Sequence, residues 1–551
     1  MLLDRIGDSH PGLRTREREW TWDEVVTESN RRGALAARLG LPDPQHIGVF
    51  LGNVPEFVFW LGGAALTGAT VVGINPTRDD DTLAAEIRQT DCRLIVTDTH
   101  GAARLQRLDI GLPPDRVIDI ESHGYRELLA ATPGTHPPVA AGAANSLMLL
   151  LFTSGTTGRS KAVRCTQRRL ANIAYTAVGK FGHVREDVDY CCMPLFHGNA
   201  LMALWAPALA VGATVCLTPK FSASRFVSDI KYFGATYFTY VGKAIAYILA
   251  VPDQPGDGDN RLTRGFGTEA SPEDRSRFLR RFGAPLYEGY GSSEGGAVAV
   301  PDPDAPAAAL GRPAHAGVAI VDPANLRQCP RAVRDERGHV INADLAIGEI
   351  VDKTGSPSFE GYYDNDAADS QRLRNGWYWS GDLGYIDTDG FLYFAGRHGD
   401  WVRVDGENTS TLVTERVLRR YPGILAAAAY AVPDPRSGDL LMAAIEVRDP
   451  ACLDLEALAG YLSTQDDIGG KGIPRLLRIS TRLPTTGSNK IMKHVLRQHR
   501  WDTDDPVHRW SGRPPVCYTP LTAADKHSLA VEFAIHGREH LLMLPAERRN
   551  G

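Results

Sequence analysis

At 551 residues the chain exceeds what one hydrophobic core usually supports, so two or more domains are expected. An apolar share of 43% with 23% charged residues is that of an ordinary globular enzyme. The net charge of −6, from 60 basic and 66 acidic residues without a basic block, excludes a nucleic-acid-binding composition.

The eight cysteines, Cys92, Cys165, Cys191, Cys192, Cys216, Cys329, Cys452 and Cys517, contain no C-x-x-C pair. Inert thiols in a reducing cytoplasm are therefore expected, rather than zinc or disulfides. The opening Met1-Leu2-Leu3-Asp4-Arg5 has no basic stretch followed by an apolar one, so no secretory signal is expected. The longest apolar run, 203–217, is interrupted by Pro207 and Gly212. It is too short for a spanning helix, and any membrane contact is expected to be peripheral.

In chain order, Thr21 is placed to cap a helix, with Glu24 three residues on. A strand at 47–51, a helix at 57–66, a strand at 70–74, a helix at 81–89 and a strand at 93–97 follow. This alternation predicts a parallel sheet covered by helices, an α/β fold. A Pro/Gly/Ala-rich linker at 131–144 leads to the buried strand 146–152, and then to Thr153-Ser154-Gly155-Thr156-Thr157-Gly158-Arg159-Ser160-Lys161, read as preceding a helix. Hydroxyls, two glycines and a lysine in one short loop make a donor-rich concavity suited to phosphate oxygens. It is not a Walker loop, since no Gly-Lys-Ser/Thr follows. By composition alone it also fits a plain surface turn.

The full string resembles the phosphate loop of the adenylate-forming superfamily of acyl-CoA synthetases, luciferases and adenylation domains, with its pattern Thr-Ser-Gly-Thr-Thr-Gly-x-x-Lys. Further segments carry the resemblance along the chain. Met193-Pro194-Leu195-Phe196-His197-Gly198-Asn199 resembles the family segment that walls the acyl pocket. It implies His197 and Gly198 as lining, with Tyr240 from the apolar stretch 237–249. A core histidine, and a core strand and helix, are the plainer readings of the same residues. Gly267-Thr268-Glu269-Ala270 resembles the turn that lies against adenine, implying Thr268, Glu269 and Ala270 as nucleotide contacts. Tyr290-Gly291-Ser292-Ser293-Glu294 resembles the family's Tyr-Gly-x-Thr-Glu, with Ser293 keeping the hydroxyl. Glu294 would hold Mg²⁺, or would otherwise be a solvated carboxylate at a helix start.

Shorter, glycine-punctuated strands after Gly311-Arg312-Pro313 suggest a barrel-like subdomain. Ser380-Gly381-Asp382 resembles the motif whose aspartate accepts both ribose hydroxyls, and Arg397 resembles the arginine at ribose and α-phosphate. The next run resembles the family's hinge motif, which implies Gly399 and Asp400 at the hinge and Gly406-Glu407-Asn408 at the thiol tunnel. This variant resembles the fatty-acid-transport and very-long-chain acyl-CoA synthetase branch. Strands at 426–432 and 440–447 and a helix at 455–463 read as a small α+β domain. It closes on Gly487-Ser488-Asn489-Lys490, where the resemblance implies Lys490, rather than Lys493, as the catalytic lysine. Residues 506–537 are expected to pack on the small domain and 538–551 to fray.

The resemblance implies an AMP-binding domain at 1–397, with two parallel-sheet α/β subdomains and the barrel-like part. A small mobile lid at 398–515 and an extension at 516–551 would follow. It implies an ATP- and Mg²⁺-dependent ligase that converts a carboxylic acid to acyl-AMP and then to the coenzyme A thioester. Glu294 and Lys490 would be catalytic, and Thr153, Ser154, Gly155, Thr156, Thr157, Gly158, Lys161, Tyr290, Gly291, Ser292, Ser293, Asp382 and Arg397 would bind nucleotide. A long-chain fatty or sterol side-chain acid is the expected substrate. A ligase loading a carrier protein, or a lipid-uptake protein with incidental catalysis, remain the alternatives. Acid chain identity and oligomeric state are not written in these motifs.

Overall fold

A computed structural model describes residues 1–132, 143–154, 160–300, 302, 304–306, 308–335, 340–397, 401–404, 407–436, 438–465, 468, 472–486, 489–512 and 516–542. The chain divides into two compact units. Unit one comprises Met1–Ala270, Asp274–Val298 and Lys353–Tyr378; unit two comprises Ser271–Glu273, Ala299–Asp352 and Trp379–Gly551.

Unit one holds two sheets. The first runs Val117–Asp119, Cys92–Thr97, His46–Phe50, Thr70–Gly73, Leu147–Ser154 and Ser160–Thr166. Its first five strands are parallel. Near-continuous apolar strands such as His46–Phe50 and Thr70–Gly73 are buried along their whole length, as strands covered on both faces must be. The helices between them start where their caps dictate. Thr21 and Glu24 form a reciprocal capping box, while Asp79, Asp98 and Ser122 each accept from a backbone N–H of the first turn.

The second sheet runs Leu286–Glu288, Arg264–Thr268, Tyr237–Val241, Val188–Cys191, Thr214–Leu217, Pro11–Arg14 and Glu19–Thr21, all parallel but the last pair. Its aromatic filling, with Phe226 against Phe238, Phe278 and Phe282, continues the main core. In such sheets ligands bind beyond the carboxyl ends of the strands. The candidate phosphate loop leaves the carboxyl end of Leu147–Ser154, and Glu269 and Glu288 stand at the ends of neighbouring strands in the second sheet.

The structure corrects one expectation at this point. The segment after the phosphate loop is not a helix but the strand Ser160–Thr166, antiparallel to Leu147–Ser154, with Thr153 opposite Lys161. The helix begins only at Gln167, capped by Thr166. The strand wins because its outer edge also pairs: Val163 bridges Tyr362, the Arg164 N–H donates to the Gly361 carbonyl, and the Tyr363 N–H to the Ala162 carbonyl. Partners two hundred residues away leave no local periodicity to read.

Unit two contains the antiparallel strands Val318–Val321, Gly348–Asp352, the 379–386 part of Trp377–Ile386, and Leu392–Arg397. The last two meet in a hairpin at Asp389 and Gly390 (φ +86°), the turn the Asp-Gly pair predicts. A five-stranded sheet follows, in the order Ile424–Pro433, Asp439–Val447, Leu476–Ser480, Val507–Trp510 and Tyr518–Pro520. The helix Ala523–Ile535 seals one face through Leu529 and Phe533, so residues past 515 are part of this core. Residues 538–542 are held as well, against the expected fraying: Arg500 donates to the Leu541 and Leu542 carbonyls, and Arg538 to that of Gly438. Among the described residues no helix is long and apolar enough to cross a membrane.

Candidate active site

In unit one the chemistry gathers around Glu294. Its side chain is only 6% exposed, which sets aside a solvated helix-start carboxylate. Oε1 accepts from the Thr153 hydroxyl at 3.2 Å and from the Tyr362 hydroxyl at 3.1 Å. The turn that presents it is built by glycines: Gly295 (φ +87°) and Gly296 (φ +74°) adopt a left-handed backbone, and a Cβ on Gly296 would stand 2.1 Å from the Tyr378 ring. The preceding Ser293 carbonyl accepts from Arg169, and a Cβ on Gly198 would lie 3.0 Å from the Ser293 hydroxyl. Two predicted segments, 197–199 and 290–294, therefore touch.

Lys161 is nearly covered, its Nζ 5.3 Å from the centre of the Tyr362 ring. Burial holds its ammonium below the usual lysine range, aided by the like charge of Arg372 and opposed by Glu294. Arg372 in turn donates from Nε to the Tyr362 hydroxyl at 3.1 Å. Tyr362 and Arg372 escaped the reading of the sequence. The only local signal was the Gly361-Tyr362-Tyr363 triplet, which carries no chemistry by itself.

In the segment expected to wall the acyl pocket, His197 occupies the N-cap position of a short helical turn, its ring 4.8 Å from that of Phe196. Tyr240 is wholly buried and donates its hydroxyl to Glu288 Oε1 at 2.8 Å. That oxygen also accepts the Ala270 N–H at 3.2 Å, and burial pushes the Glu288 carboxyl up to about 6. Glu269, between Thr268 and Ala270, has a left-handed backbone (φ +72°). The 268–270 turn and the Tyr287-Glu288-Gly289 strand end are thus stitched together. Tyr290 and Ser292 lie on the same connection, with the Ser292 carbonyl accepting the Gly295 N–H; a Cβ on Gly291 would meet nothing.

In unit two, Asp382 and Arg397 face each other across the hairpin, with Arg397 Nε donating to Asp382 Oδ1 at 2.9 Å. Asp382 is 8% exposed, and its own N–H is held by the Ser380 hydroxyl. Lys490 is exposed, on a turn closed by its carbonyl accepting the Thr486 N–H and by Asn489 in a left-handed conformation (φ +62°). Lys493 instead pairs with Glu415 at 2.7 Å. Glu407 and Asn408 pair in register with Val404 and Arg403. Gly155, Thr156, Thr157, Gly158, Gly399, Asp400 and Gly406 lie outside the described residues, as does the side chain of Ser154.

The donor set around Glu294 suits a hard divalent cation. Among the described residues no three His, Cys, Asp or Glu side chains gather into a metal cage. Mg²⁺ needs none, because it takes one or two carboxylates and shares phosphate oxygens. Glu294 offers one carboxylate with the Thr153 hydroxyl beside it, a set that fits this requirement.

Residues 8–363 match the AMP-binding enzyme family. The chain is 60% identical over 546 residues to the steroid-22-oyl-CoA synthetase of Rhodococcus jostii, covering 98% of each. It is 40% identical over 506 residues to the medium/long-chain-fatty-acid–CoA ligase FadD17 of Mycobacterium marinum, covering 92% of this chain and 96% of that one. Among solved structures it resembles the anthranilate CoA ligase AuaEII with anthranoyl-AMP, at TM-score 0.78 and 22% identity over 90% of this chain and 96% of the other. ATP-bound MatB from Rhodopseudomonas palustris gives 0.77 and 22%, over 91% and 98%; at such identity these two establish the fold alone. The chain belongs to the AMP-binding enzyme family, as an acyl-CoA synthetase that uses ATP, Mg²⁺ and coenzyme A to ligate a carboxylic acid through its acyl-adenylate.

Proposed function

We propose that this ligase activates a steroid acid at a side-chain carboxyl, the C22 acid being the first choice, and that medium- or long-chain fatty acids are secondary substrates. The 60% identity across 98% of both chains to an enzyme named for steroid-22-oyl-CoA carries the substrate class. The cluster of Thr153, Lys161, Glu294 and Tyr362 supports the chemistry.

Bringing an acid anion to a triphosphate is opposed by charge. In the proposed division of labour Glu294 and the Thr153 hydroxyl hold Mg²⁺, which when bound neutralises phosphate charge. Lys161 and the loop 153–161 take the β- and γ-phosphates, and the 268–270 and 290–293 segments face adenine. Asp382 accepts the ribose hydroxyls, oriented by Arg397. Lys490 stabilises charge developing on the α-phosphate while the acid oxygen attacks phosphorus and pyrophosphate leaves. The thiol of coenzyme A then attacks the acyl carbon and AMP departs. We read residues 1–397 as the AMP-binding domain, 398–515 as a lid turning at Gly399, and 516–551 as its extension. Rotation would exchange Lys490 for the 406–408 segment between the two half-reactions. Lys493 is engaged with Glu415, and we read Lys490, on its exposed turn, as the lysine that takes this role. His197, Gly198 and Tyr240 are read as the wall of the acid site. A cytoplasmic location belongs to the same reading: all eight cysteines are free, and burial pushes Cys92, Cys165 and Cys192 up to about 12.

The test is AMP and pyrophosphate release with ATP, Mg²⁺ and coenzyme A across C22 steroid acids, intact sterol side-chain acids and fatty acids of graded length. Strongest turnover on the C22 steroid acid is the expected result, and a fatty acid turning over faster would overturn the substrate. Pyrophosphate release without thioester would indicate a carrier-protein acceptor; tight acid binding without AMP would indicate an uptake protein.

A further inference from the structure

Tyr362 and Arg372 stand in none of the predicted motifs, yet they complete the surroundings of Glu294. Tyr362 is 2% exposed, on the segment that pairs with the strand leaving the phosphate loop. Its N–H donates to Asp369 Oδ1 at 2.8 Å, which ties it to the helix Asp366–Arg372 that also carries Arg372. The direction of the hydrogen bonds follows from chemistry. Arginine has no acceptor, so Nε–H donates to the tyrosine oxygen at 3.1 Å, and the single phenolic proton is left for Glu294 Oε1 at 3.1 Å. The cation polarises the hydroxyl it donates to, which strengthens the bond that hydroxyl makes onward. With the Thr153 hydroxyl on the same oxygen at 3.2 Å, Oε1 is held from two sides.

We infer that Arg372 and Tyr362 are positioning residues, a relay that fixes the Glu294 carboxylate so that its other oxygen, Oε2, is presented to the metal–nucleotide. This rests on the reading of Glu294 as the Mg²⁺ ligand. The relay also joins the metal site to the phosphate loop, since Lys161 lies against the face of the same Tyr362 ring.

The experiment is calorimetric ATP binding to the full chain at graded Mg²⁺, with Mn²⁺ binding read by electron paramagnetic resonance, and metal-free AMP binding as the control. In Tyr362→Phe, which removes one oxygen and keeps the ring, metal affinity is expected to fall by about 10- to 100-fold, as for other groups that hold a metal ligand. Metal-free AMP binding is expected to stay at the parent's value. Arg372→Gln should follow Tyr362→Phe, and Arg372→Lys should recover part of the loss. A merely packing role would lower the unfolding temperature and leave the metal dependence alone. Unchanged metal affinity in Tyr362→Phe, beside a weakened Glu294→Gln, overturns the relay. An unchanged Glu294→Gln overturns the reading of Glu294 itself, and the relay with it.

Discussion

Glu294 and Asp189 are both buried carboxylates of unit one, and their surroundings differ in kind. Asp189 sits inside the second sheet, fully covered, with His183 Nε2 3.3 Å from its Oδ2. The His183 ring is closed off by Tyr237, 4.4 Å away. Burial pushes the Asp189 carboxyl up, with His183 opposing and Asp187 and Arg264 nearby. Each partner of that pair answers the other, and the pair faces core. Glu294 is met instead by two neutral hydroxyls, beside a nearly covered lysine and an arginine, at the carboxyl edge of a parallel sheet. Positive charge gathered around a carboxylate that makes no direct ion pair among the described residues is an arrangement for a ligand that brings its own charge. A histidine–carboxyl pair closed in by core rings is an arrangement for the fold.

The difference can be broken at either end. The largest effect on activity is expected from Lys490→Ala. It should lower adenylation by about 10²- to 10³-fold, while supplied acyl-adenylate still passes to coenzyme A; equal loss in both half-reactions would remove Lys490 from its role. Next, Glu294→Gln should cut adenylation by about a hundredfold or more, with the thermal unfolding midpoint held near the parent's. A collapse of the midpoint would make Glu294 a fold residue like Asp189.

His183→Leu asks the converse. It leaves the Asp189 carboxyl in the core without its partner, and should cost about 3–5 kcal/mol of unfolding free energy. The KM for ATP of the folded fraction should not move, and a changed KM would mean that the pair serves the site.

The smallest effect belongs to Glu288, which lies between the two cases. The folded protein keeps its proton up to about 6 against an ordinary value of 4.5. Folding therefore binds protons in that window, and stability falls as pH rises through it and stays lowered above. Glu288→Gln removes this term. Its stability relative to the parent should rise by about 1–2 kcal/mol between about pH 4.5 and about pH 7.5, measured by denaturant melts. Parallel profiles would show that folding does not raise the Glu288 carboxyl.

Much of this was legible in the residue order, for a physical reason. A donor-rich loop, a motif carboxylate and a hairpin turn need particular residue types at short spacing, so the candidate segments Thr153–Lys161, Tyr290–Glu294 and Ser380–Asp382, and the Asp389-Gly390 turn, stand out locally. The same holds for helix caps such as Thr21 with Glu24, and for strands buried on both faces. What tertiary structure decided was every contact between segments far apart. The strand Ser160–Thr166 is a strand because residues 361–363 lie along its edge. Glu360 receives the N–H and hydroxyl of Thr166, the residue that caps the next helix. Tyr362 reaches Glu294 across 68 residues of sequence. No periodicity or spacing encodes such pairings, because the chain must close a long loop before they exist and only the packed core holds the two ends together.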